Sequence, residues 1–109
     1  MIGYLSGTVQ YADLDAVCIN VNGVGYHVLM PITDVARYTN PGTKAEAYIH
    51  THVREDAIQL YGFSSRAGHS LFERLISVQG VGPRTALSAL SGMDAETLIR
   101  AIAEGDEAR

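Results

Sequence analysis

The stretch AIQLYGFSSRAGHSLFERLI, Ala57 to Ile76, changes its period halfway along. Up to Phe63 it reads as a strand, whereas beyond the two serines Leu71, Phe72, Leu75 and Ile76 recur at helical spacing. The switch places a boundary near Ser64-Ser65, with strands before it and helices after it. Upstream, IGYLSGTVQY and AVCINV alternate, and Asn22-Gly23 opens a hairpin into VGYHVLM, because both residues tolerate positive φ. KAEAYIHTHV and AIQLYGF make two more strands, joined by the polar tip Arg54-Glu55-Asp56. Only ITDVARYTNPGT is long enough to hold a helical turn or a crossing loop. Five short strands of this kind predict a small closed or half-closed barrel, of which the OB-fold is one form.

Downstream, Ala86, Leu87 and Leu90 and then Leu98, Ile99 and Ile102 keep the helical period. Pro83 suits a first helical turn, Gly92 a stop, Asp94 the next N-cap flanked by a Met93–Leu98 staple, and Gly105 the last stop. The chain therefore reads as α+β, with a five-stranded barrel over residues 1–63 and helices over 64–109. Its 109 residues suffice for one domain or two small abutting modules, and 47% hydrophobic against 18% charged residues is globular composition.

No apolar run reaches the roughly 18 residues of a membrane span, and the N-terminus lacks signal-peptide regions, so a cytoplasmic protein without membrane association is expected. Cys18, alone and inside an apolar run, predicts a buried thiol with no disulfide, zinc or redox role, and no cofactor is expected. The formal net charge of −4 argues against a nucleic-acid partner.

Gly-Val-Gly occurs twice. In VNGVGYHV the glycines serve hairpin geometry and close strand packing. In SVQGVGPRTALSAL, Ser77 to Leu90, the turn lies between two helices. Glycines there leave peptide N–H groups open to an anion, and the next helix aims its unsatisfied donors and positive dipole end at the same place. Val81 would pin the turn between the helices, and Arg84 would add a charge without reading a base. A plain helix-turn-helix corner is the simpler alternative. Rossmann and P-loop readings fail, since no strand precedes Gly80, no third glycine follows at the required place and no Gly-Lys-Ser/Thr is present.

LFERLISVQGVGPRTALSALSGM, Leu71 to Met93, resembles the first helix-hairpin-helix motif of the RuvA family of Holliday junction branch migration subunits. MIGYLSGTV, VNGVGYHVLMP and HVREDAIQLYGF resemble that family's N-terminal barrel, in the same order. The resemblance implies a non-catalytic subunit of recombination and DNA repair that binds four-way junction DNA by structure, without sequence preference. It further implies a homotetramer or a pair of tetramers, working with the RuvB motor and the RuvC resolvase. Gln79, Gly80, Val81, Gly82, Pro83, Arg84 and Thr85 would form the DNA-binding hairpin, and Glu55 and Asp56 an acidic pin repelling phosphates from the crossover. Without the resemblance, Glu55-Asp56 reads as a solvated turn tip. Tyr4 stands where many relatives would carry a basic side chain, so no DNA contact is assigned to that strand. A chain ending at Arg109 would be an N-terminal fragment, lacking the second hairpin motif and the domain that contacts RuvB. Loss of the RuvB contact is then expected, with a weakly binding assembly module as the alternative.

Charge is distributed unevenly. Residues 54–85 carry four arginines against three carboxylates, +1, whereas residues 86–109 sum to −3. Local contact is thereby compatible with an acidic total. Three rival readings are weaker. His50 and His52 share a strand face and, with Glu55 and Asp56, suggest a metal or acid–base site, but no third ligand is fixed. The glycosylases that use this hairpin need a catalytic Lys or Asp, whereas Arg84 is no amine nucleophile and the chain ends soon after Asp106. The six tyrosines are too scattered to make a single-strand stacking platform.

Overall fold

The structure, a computed structural model, describes residues 1–92. Five strands, β1 (Tyr4–Ala12), β2 (Ala16–Val21), β3 (Val24–Leu29), β4 (Lys44–Val53) and β5 (Ile58–Phe63), close a barrel in the order β1-β2-β3-β5-β4. All pairings are antiparallel except β3 with β5, which meet over Val28↔Leu60 and Leu29↔Tyr61. The β2–β3 hairpin turns on Asn22 at φ 53° and Gly23 at φ 90°, the double positive φ of a two-residue turn. Its second glycine, Gly25, lies so close to β2 that a Cβ there would come within 3.0 Å of Cys18 Sγ. ITDVARYTNPGT supplies a short helix, α1 (Ile32–Val35), running into a 3-10 turn at Ala36–Tyr38.

Residues Leu5, Val9, Val17, Ile19, Val28, Met30, Ala47, Ile49 and Leu60 fill the barrel interior. Tyr38 plugs one side of it, with its hydroxyl donating to the Glu46 carbonyl at 2.6 Å. β2 and β5 are unusual in burying consecutive residues, Ala16–Ile19 and Leu60–Phe63. Such runs require cover on both faces. The outer cover comes from α2 (Arg66–Ile76) and α3 (Pro83–Gly92).

Ser65 caps α2, its Oγ accepting from the Gly68 N–H at 3.1 Å, so the helix starts directly after the strand-to-helix boundary. Its apolar face brings Leu71, Phe72 and Leu75 onto Ala16, Leu29, Tyr61 and Phe63 of the barrel, and α3 adds Ala86 and Leu87. Phe72 lies 4.9 Å from Phe63 and 5.3 Å from Tyr61, centroid to centroid. Two polar links from α1 reinforce the docking: the Ser64 N–H donates to Asp34 Oδ2 at 2.8 Å, and the Ile32 N–H donates to Ser91 Oγ at 3.0 Å. The predicted cap at Asp94, the Met93–Leu98 staple, the helix carrying Leu98, Ile99 and Ile102, and the stop at Gly105 lie outside the described residues.

Burial, followed by the Asp34 carboxylate, pushes the Tyr38 phenol from its ordinary 10.0 up to about 12. The unfolded chain gives up that proton first, so the contribution is complete below pH 10.0 and is lost as pH rises through about 12. An ultraviolet phenolate titration should show one tyrosine ionising late, near unfolding, and Tyr38→Phe should remove that late step; its persistence in the variant would refute the assignment.

Candidate nucleic-acid interface

Between α2 and α3 the backbone hydrogen bonds can be traced one by one. The Val78 N–H donates to the Leu75 carbonyl at 3.1 Å, and a four-residue turn, Val78 to Val81, is closed by the Val81 N–H on the Val78 carbonyl at 3.1 Å. Gly80, third in that turn, sits at φ 87°, which a side-chain-bearing residue rarely adopts. The next bond is the Ala86 N–H on the Gly82 carbonyl at 3.0 Å, the first of α3. Pro83 has no N–H to leave unpaired. Consequently the N–H groups of Gly80, Gly82, Arg84 and Thr85 take no backbone acceptor among the described residues.

Val81 behaves differently from its neighbours. Its amide is spent inside the turn and its side chain packs, half-buried, against the Phe72 cluster. It anchors the loop. Gln79, Gly80, Gly82, Arg84 and Thr85 are exposed, with Pro83 half-buried.

Across from this turn stands the outer face of the β4–β5 hairpin. His52 and Gln59 are registered partners on it, and Tyr61 lies one step deeper. Together with Arg54 they form one wall of a cleft of about 180 Å³, whose other wall is Gly82, Pro83, Arg84 and Thr85. Neither Arg54 nor Arg84 forms an ion pair among the described residues. Glu55 and Asp56 do not line the cleft. They occupy the hairpin's exposed tip, closed by the Arg54 N–H on the Ala57 carbonyl at 2.8 Å, above Val53 and Ile58, which are 59% and 69% exposed.

The two strand histidines do share a face, and α2 covers it at His50. His50 and His52 are both half-buried, and His50 Nδ1 lies 3.0 Å from Glu73 Oε2. His69 Nε2 is 3.7 Å from the same oxygen and 3.1 Å from the Ile49 carbonyl. Among the described residues no group of three or more His, Cys, Asp or Glu is arranged to hold a metal ion. The cluster clamps β4 to α2 instead. Tyr4 lies on another part of the barrel, tilted against Tyr48 at 5.4 Å and beside the Lys44–Glu46 ion pair of 3.0 Å. Partial desolvation and then the Glu46 carboxylate push its phenol upward.

The RuvA N terminal domain family matches residues 1–62, more than half of the chain. The chain belongs to the RuvA family. The SAM-like helix-hairpin-helix tandem family matches residues 72–109, taking in the turn described above. Among curated relatives of the RuvA family, the Holliday junction branch migration complex subunit RuvA of Syntrophobacter fumaroxidans is 47% identical over 102 residues, 94% of this chain and 52% of that protein. The RuvA subunit of Francisella tularensis subsp. novicida is 43% identical over 108 residues, 99% of this chain and 50% of its own length. That of Dehalococcoides mccartyi is 43% identical over 106 residues, 97% and 55% respectively. The chain spans about half the length of the curated RuvA relatives it matches.

The two glycines of the RuvA turn have separable tasks. Gly80 needs its positive φ, whereas Gly82 has neither positive φ nor any atom within 4 Å of where a Cβ would stand. Gly80→Ala should cost about 1–2 kcal/mol of stability in urea unfolding. Gly82→Ala should leave stability within about 0.5 kcal/mol yet weaken any ligand approaching its amide. Equal destabilisation by both would show that the turn needs glycine only for its shape.

Proposed function

We propose that this chain binds four-way junction DNA by its backbone, without reading sequence, as a non-catalytic subunit of a cytoplasmic recombination and repair complex. The observation that carries the reading is the set of peptide N–H groups of Gly80, Gly82, Arg84 and Thr85, left without backbone acceptors beside the Arg84 guanidinium. A phosphodiester satisfies such donors, and its negative charge is favoured by the helix terminus. Gln79 flanks the same turn, and Val81 and Pro83 hold its shape. Contacts to phosphates fix position and carry no base information.

Preference for a junction over a duplex comes from the second part of the arrangement. We place Glu55 and Asp56 of four copies around a fourfold axis, where their carboxylates repel phosphates from the crossover and direct the arms outward to the hairpins. The names of the matched relatives support this choice of substrate. A homotetramer, or two stacked face to face, is the assembly it requires, and in the relatives' setting the RuvB motor and RuvC resolvase would act on the junction so held.

A gel-shift titration of four-way junction against linear duplex of equal length, with the oligomer mass measured on the same sample, tests the reading. The junction should bind more tightly. Arg84→Ala should weaken every DNA form about uniformly and lower the slope of log affinity against log salt by about 1. Glu55→Gln with Asp56→Asn should relax discrimination while retaining binding. Equal affinity for both DNA forms would defeat the proposal.

A further inference from the structure

We infer that the outer face of the β4–β5 hairpin is a second wall of the phosphate seat, with Arg54 and Gln59 holding the backbone phosphate that Gly82, Arg84 and Thr85 approach from α3. The inference rests on the function proposed above and deepens it, adding barrel residues to a grip otherwise confined to the helices.

Strand register is the first support. His52 and Gln59 are paired across β4 and β5, so both side chains leave the same face, the one covered further down by Phe72 through Tyr61. Beyond Tyr61 that cover ends and the cleft of about 180 Å³ begins, with Arg54 and Arg84 facing it from opposite walls. Two guanidiniums from different elements repel one another unless an anion lies between them. Neither has a carboxylate partner among the described residues, although Glu55 and Asp56 are Arg54's immediate neighbours in sequence.

The chemistry of the lining narrows the ligand. Arg54 and Arg84 offer planar forks of N–H donors, Gln59 an amide donor, and Gly82, Arg84 and Thr85 backbone N–H groups. Donors dominate, which suits a phosphate and disfavours a cation. The hairpin would then play two parts: its tip repels phosphate at the crossover, and its stem holds phosphate a few residues away. One β-hairpin would thereby set the distance between the excluded and the bound positions on the DNA.

The test uses the full chain with junction and duplex DNA across a salt series. Arg54→Gln should weaken both forms about tenfold and lower the salt slope by about 1, while Arg54→Lys keeps the slope. Gln59→Ala should weaken binding with the slope unchanged, since no charge is lost. Arg37→Gln, an exposed arginine outside the cleft, should change neither. Because both arginines would share one phosphate, Arg54→Gln combined with Arg84→Gln should cost less than the product of the single losses. Unaltered thermal midpoints and circular dichroism would exclude misfolding as the cause. If the Arg84 variant lowers the slope and the Arg54 variant does not, the function stands and this inference falls. Losses that simply multiply would also overturn the shared seat. Failure of the unsubstituted chain to bind any DNA would overturn both readings.

Discussion

Everything about the interface depends on Phe72 settling between Phe63 and Tyr61 on the outside of the barrel. The ring is fully buried in a cluster drawn from β2, β3, β5, α2 and α3. Aromatic contacts of this size dominate packing energy and have preferred geometry, so they fix orientation as well as attachment. The Gly80–Gly82 turn hangs from one side of that cluster through Val81, and the β4–β5 hairpin rises from the other through Tyr61. A cleft between them follows from the packing and needs no further contact to hold it open.

The acidic composition and the proposed polyanionic partner are reconciled by placement. Carboxylates at the hairpin tip and over residues 86–109 make the total negative, but the cleft itself carries Arg54 and Arg84 and no acidic side chain. Net charge governs the long-range field, while a bound phosphate experiences donors within a few ångströms. Under the proposed function the negative tip has a use as well, because excluding DNA from one point would be part of defining a junction.

Much of the fold was legible because its signals are local. AVCINV and KAEAYIHTHV are β2 and β4 residue for residue, Asn22-Gly23 is the expected positive-φ turn, and the change of period after Phe63 marks the strand-to-helix switch. β1 starts at Tyr4, not Ile2, and the residues before it stay tied to β4, its partner strand: the Thr51 hydroxyl donates to the Ile2 carbonyl at 2.6 Å, and the Ile49 N–H to that of Gly3 at 2.9 Å. What stayed hidden was set by register between distant strands. His50 and His52 could be placed on one face, but nothing showed that His50 lies against α2 with Glu73 as neighbour while His52 lines the cleft opposite residues 82–85. Arg54 and Gln59 gave no sign of facing residues 82–85, since only the β4–β5 pairing and the Phe72 docking bring them there. Nor could spacing show that Val81, within the glycine turn, spends its amide internally while its neighbours do not.

Amide-resolved NMR during titration with four-way junction DNA addresses the central claim most directly. Sequence-independent phosphate binding at the turn predicts that the N–H resonances of Gly80, Gly82, Arg84 and Thr85 move together and saturably, while the internally bonded Val81 N–H moves least. Resonance changes confined to other surfaces, or a Val81 shift as large as those of its neighbours, would contradict the account.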